Sequence, residues 1–165
     1  MTREYFKLWF RLDARDAYLI WFSDELDGVL IDVDGKTPGF LNTEDLLGHA
    51  ASLGLSVKIE EPILHDLDTV AAWLETPDAK TVDCDKFLTA WNLFDDVSRS
   101  VSGKFDADRK LTNKIYNKLF WGNNLSPVTP VGEHYEPLWT KRELKIMREV
   151  LGVGLSLFRG ILVFI

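Results

Sequence analysis

The residues of this sequence best equipped for chemistry are its carboxylates, three histidines and a single cysteine. A metal centre needs His, Cys or carboxylates at helix or hairpin spacing. The candidates are His65 with Asp68, Cys84 between Asp83 and Asp85, and His134 between Glu133 and Glu136. None forms a recognised ligand set. The i,i+3 spacing of His65 and Asp68 is also that of a helix start with an acid near its positive end, so neither metal nor cofactor is expected. Cys84 as a nucleophile would need a histidine brought beside it by the fold, and no catalytic residue is assigned. There is no G-x-S-x-G elbow, phosphate-cradling glycine loop or dinucleotide fingerprint. Lys110, Lys114 and Lys118 recur every four residues beside Tyr116 and Trp121, with Lys104 and Arg109 nearby. That spacing makes one basic helix face, which is the common look of a solvated helix, and the total charge opposes phosphate, so nucleic acid is not expected as a partner.

The paired carboxylates Asp32 and Asp34 follow an apolar stretch in GVLIDVDGKT, residues 28–37. The segment resembles the nucleophile motif of the haloacid dehalogenase phosphatases. That resemblance implies a magnesium-dependent phosphatase in which Asp32 attacks phosphorus and Asp34 handles protons. The family, however, builds a doubly wound parallel sheet and needs a later acidic loop after another apolar strand, whereas the adjacent pair Asp95 and Asp96 falls in mid-helix. The same residues lack the further ligands and the Glu at loop position 12 of an EF-hand. A strand ending in an Asp-Gly turn is the first reading, and the phosphatase is the alternative.

The elements that position these residues change period once. In YFKLWFRL the even positions Phe6, Leu8, Phe10 and Leu12 are apolar, the period of two of a half-buried strand, with Tyr5 and Trp9 on the other parity. Ala17 to Phe22 and the alternation Val29, Ile31, Val33 predict two further strands, joined through Asp24 to Gly28, in an antiparallel meander. A helix from Thr43 to Gly54 follows, then a fourth strand through Leu55, Val57 and Ile59. After Pro62 the period becomes helical, with helices expected over 66–74, 83–105, 108–121 and 140–164. Two apolar stripes should face the core: Phe87, Trp91, Phe94, Val101, Phe105, and Leu144, Met147, Leu151, Leu155, Phe158, Leu162, Ile165. Strands first and helices after predict an α+β fold, a small and mainly antiparallel N-terminal sheet packed against a C-terminal helical layer. At 165 residues the chain fits one domain, sheet-rich over 1–61 and helical over 62–165.

Charge narrows the partner. The formal net charge is -7, which disfavours nucleic acid and anionic lipid and favours a basic partner. It is unevenly spread: residues 1–103 hold 20 acids and 9 bases, residues 104–165 hold 6 acids and 10 bases. The acids cluster in Asp24, Glu25, Asp27, Asp32 and Asp34, and again in Glu60, Glu61, Asp66 and Asp68. The single Cys84 and the lack of a secretory-type start predict a reducing, cytoplasmic setting. The apolar run Val150–Ile165 is interrupted by Arg159 and three glycines and is too short to span a bilayer, so no membrane association is expected.

A small, acidic, aromatic-rich domain without an evident active site, with the strands YFKLWFRL and AYLIWF and the helix segment AWNLFDDVSRSV (Ala90 to Val101), resembles the immunity proteins of bacterial contact-dependent growth inhibition and related polymorphic toxin systems. The resemblance implies an antitoxin that neutralises a cognate toxin C-terminal domain, often a nuclease, by a tight stoichiometric complex. A nuclease presents Lys, Arg and His to a polyanion, so an array of carboxylates can occupy the same cleft. The expected contact surface is Asp24, Glu25, Asp27, Asp32 and Asp34, with Glu60, Glu61, Asp66 and Asp68 second. An acidic adaptor with a different basic partner would share this composition.

Overall fold

A computed structural model describes residues 2–103, 105 and 109–165. Strand β1 (Glu4–Leu12) pairs antiparallel with β2 (Arg15–Ser23) through the register Leu12↔Arg15. The turn between them is Asp13 and Ala14, both left-handed (φ 55° and 61°), the geometry of the tight hairpin turns whose twist matches the strands. β3 is only Gly28–Val29, antiparallel to β2. The alternation expected to continue to Val33 stops there, because Asp32 to Lys36 closes into a tight loop and leaves Val33 fully exposed.

β4 (Thr37–Gly39) and helix α1 (Thr43–Ser52) follow, with Asn42 capping α1 by accepting from the Asp45 N–H at 2.8 Å. The fourth strand expected at 55–59 does not form. Val57 alone registers with Tyr5, in parallel, and Ile59 stands 92% exposed. The edge of β1 is taken instead by β5 (Leu64–Asp66), parallel to Trp9–Arg11, giving the order β3-β2-β1-β5. The sheet is therefore mainly, not wholly, antiparallel.

Helices α2 (Leu67–Glu75), α3 (Cys84–Ser100), α4 (Arg109–Gly122) and α5 (Lys141–Ile161) complete the α+β fold. α3 stops five residues before the expected Phe105. Ser102 is left-handed (φ 54°) and the Gly103 N–H returns to the Ser98 carbonyl at 2.8 Å, a Schellman-type stop. Phe105 nonetheless packs edge-on against Trp91 and Phe94, as the stripe required. Asp108, expected in the next helix, lies outside the described residues. α5 opens with a capping box, Thr140 with Glu143. It ends at Ile161, and Leu162–Phe164 become β6, parallel to β4. Strands thus occur on both sides of the expected boundary at residue 61, and Ile165, assigned to the core stripe, is 62% exposed.

The even face of β1 meets the helices: Leu8, Phe10 and Leu12 join Leu19, Phe94, Leu151 and Phe158 in the main core. The odd face is covered by α1, where Ile20, Phe40, Leu46 and Ala50 form a second, smaller core with Tyr5, Tyr18 and Val57 against it. Among the described residues no helix is long and apolar enough to cross a membrane.

Candidate functional site

Between the pairings Tyr5↔Val57 and Trp9↔Leu64, β1 advances four residues and its neighbour seven. The three extra residues bow out as an arch over 59–63, with Pro62 unable to donate to the sheet. The arch opens a cleft of about 550 Å³ between the sheet edge and α3. Its floor is apolar: Phe6, Leu8, Trp21 and Leu93. The arch contributes Glu60 and Glu61, and Asp27 reaches in from the β2–β3 turn.

The opposite wall is a stripe of α3, Asn92, Asp95, Asp96 and Arg99, spaced i, i+3, i+4, i+7 and so on one face. The Asp96 carboxylate is 15% exposed and accepts the Trp21 indole N–H at 2.9 Å. Arg99 bonds Asp95 at 2.6 Å, Asp96, and the Asp27 carbonyl at 3.2 Å. Burial pushes the Asp96 carboxyl above the ordinary aspartate range. The like charges of Asp27 and Asp95 add to this, while Trp21 and Arg99 oppose it. His65 lies at the same cleft. Its Nδ1 faces the carbonyls of Trp9 and Ile63 at 3.2 and 3.3 Å, which assigns the proton to Nδ1, since both partners only accept. Burial lowers its pKa, against those two bonds.

The acids expected to form one surface divide. Asp27, Glu60 and Glu61 meet at the cleft. Asp24 is paired with Arg3 at 3.0 Å, and Glu25 is exposed on the same turn. Asp32 accepts the N–H groups of Asp34 and Lys36 at 2.8 and 2.9 Å, which accounts for it as a turn former; Asp34 is exposed beside it. Asp66 caps α2 through the Thr69 N–H and pairs with Lys86 at 3.1 Å. Asp68 accepts the Asp13 and Ala14 N–H groups at 2.7 and 2.8 Å, clamping the β1–β2 hairpin. Sequence reasoning missed Asp95, Asp96, Arg99 and Trp21; the polar i, i+3, i+4, i+7 stripe opposite Phe87, Trp91 and Phe94 was the signal for the first three.

Among the described residues no group of three or more His, Cys, Asp and Glu is placed to hold a metal ion. Cys84 and His134 line a separate surface depression, where burial raises the thiol pKa and Asp83 adds to it, the reverse of an activated nucleophile.

Fold and site together define an α+β domain with an acid-walled, aromatic-floored cleft at a sheet edge. No protein-family model matches the sequence, and no curated protein does. Among solved structures the chain is similar to the crystal structure of the SatS C-terminal domain in complex with bromine, at 12% identity and a TM-score of 0.51. The similarity covers 99% of this chain and 94% of that one. At that identity the likeness is one of fold.

Proposed function

We propose that this protein is a binding protein of the immunity class, which neutralises a basic toxin domain by occupying it stoichiometrically through the cleft between β1 and α3. The observation that supports this is the convergence of Asp27, Glu60, Glu61, Asp95 and Asp96, from three segments of the chain, around an apolar floor. Carboxylates at the rim steer a cationic partner to encounter rates of up to about 10^8 M^-1 s^-1 at low salt, and an aromatic floor provides the desolvated centre that anchors most interfaces.

The test is to identify the gene immediately upstream and, where it encodes a large secreted protein with a variable C-terminal domain, to co-produce that domain with this protein. Restored growth and a one-to-one complex on size-exclusion chromatography are expected. Growth arrest that persists with both proteins present and folded would overturn the reading.

A further inference from the structure

We infer that the cleft receives an extended, arginine-bearing segment of the partner, laid beside β1 at Lys7, with its guanidinium taking the place that Arg99 fills in the free protein. The inference rests on the cleft being the partner site and specifies its occupant.

Three independent features point to this occupant. The first is an open sheet edge. The Ile20 carbonyl accepts from the Leu30 N–H at 2.9 Å, so the Ile20 main chain faces β3. Lys7, opposite Ile20 in the β1–β2 register, is then in a non-hydrogen-bonded pair, and its N–H and C=O point to the other edge. No residue of the arch registers with it, since pairing resumes only at Trp9. An extended segment is the ligand that satisfies such groups.

The second is the floor of Phe6, Leu8 and Trp21, which lies on the helix-facing side of the sheet. Alternate side chains of an added strand would cross it toward α3. A long cationic side chain can lay its aliphatic stem there and carry its charge to the wall. The third is that the wall already seats a guanidinium: Arg99 is held by two carboxylates and a carbonyl, and its side chain is 32% exposed, so the seat opens to solvent at the cleft. The planar, forked geometry of arginine suits that arrangement better than an ammonium.

The probe is the capped pentapeptide valine-arginine-valine-arginine-valine, titrated into the ¹⁵N-labelled protein and followed at the Trp21 indole N–H. Its citrulline counterpart, which keeps the shape and removes the charge, should bind about tenfold or more weakly, as should a counterpart N-methylated at alternate peptide bonds. Arg99→Gln should tighten the arginine peptide, because the internal competitor is gone. Should that variant lose its fold, Glu60→Gln with Glu61→Gln, at exposed positions, should weaken the same peptide several-fold. Equal affinity for the arginine and citrulline peptides, or no movement of the Trp21 signal, would overturn the inference. Peptide binding as expected without protection against the toxin would leave the groove standing and remove the immunity reading. Protection without peptide binding would do the opposite.

Discussion

The indole N–H of Trp21 donates to the Asp96 carboxylate at 2.9 Å, joining β2 to α3 across 75 residues of sequence. The bond stabilises a charge in a place where burial, Asp27 and Asp95 all work against one. A carboxyl raised above its ordinary value of 3.8 binds its proton more tightly folded than unfolded. Its contribution to stability is therefore full below that value and is lost as pH rises through the folded value. Asp96→Asn removes the titration and keeps an acceptor for Trp21. Urea melts from pH 4 to 7 should show the variant gaining stability relative to the wild type as pH rises. A constant difference would show that Asp96 ionises as freely folded as unfolded, and an opposite one that it ionises more readily folded.

Two glycines of α5 should respond with opposite sign to the same substitution. A Cβ at Gly154 would lie 2.3 Å from Phe94 Cδ2 and 2.7 Å from Phe105 Cε2, inside the core, whereas a Cβ at Gly152 meets nothing within 4 Å. Gly152→Ala should stabilise by about 0.5–1 kcal/mol through helix propensity. Gly154→Ala carries the same propensity gain, but the buried Phe94 ring must move, and overpacking of this kind costs about 1–3 kcal/mol. Thermal melts of the two variants check the sign difference directly.

The hairpin turn offers a third check. Asp13 and Ala14 are both left-handed, and Asp68 holds both of their N–H groups. Ala14→Gly should stabilise by about 1 kcal/mol, since the left-handed region costs alanine and not glycine. Asp68→Ala should cost about 1–2 kcal/mol by leaving two turn amides without their acceptor. Neither change should alter partner binding, because Asp68 sits at the far end of the hairpin from the β2–β3 turn that brings Asp27 to the cleft. Lost protection beyond what the lower stability explains in Asp68→Ala would place the interface on the β1–β2 hairpin turn.

These positions show where the sequence was legible and where it was not. The even face of β1 and the stripe of Phe87, Trp91 and Phe94 were readable because burial follows local periodicity. Asp66 and Asp68 looked like part of a charged patch because a cap and a hairpin clamp look the same as surface acids until the fold brings their amides to them. The arch was invisible for a related reason. It arises from a register difference between two short parallel pairings, and parallel neighbours distant in sequence leave no local pattern. β6 is the same case: Leu162–Phe164 continue the apolar run of α5, but Thr37–Gly39 offer a strand edge that ends the helix.

The division of the acids makes the binding kinetics specific. Glu60 and Glu61 are exposed on the arch, while Asp96 is nearly buried behind Trp21 and Arg99. Exposed rim charges act over a Debye length, about 8–10 Å at ordinary salt, and bear mainly on encounter. Glu60→Gln with Glu61→Gln should therefore slow association with the toxin domain several-fold at low salt, leave dissociation nearly unchanged, and lose its effect as salt rises. A carboxylate that meets a partner cation out of water acts on dissociation instead, because its removal leaves the opposing charge buried and unpaired, at a cost of about 2–5 kcal/mol. Asp96→Asn should accordingly speed dissociation by a factor that salt barely changes. Asp32→Asn with Asp34→Asn, at the loop whose amides Asp32 already holds, should alter neither rate beyond the small loss of net charge. Stopped-flow association and surface-plasmon dissociation at two salt concentrations separate the three cases. A loop double variant that slowed association as much as the arch variant would mean the field is diffuse, and the cleft would lose its claim to be the steering surface.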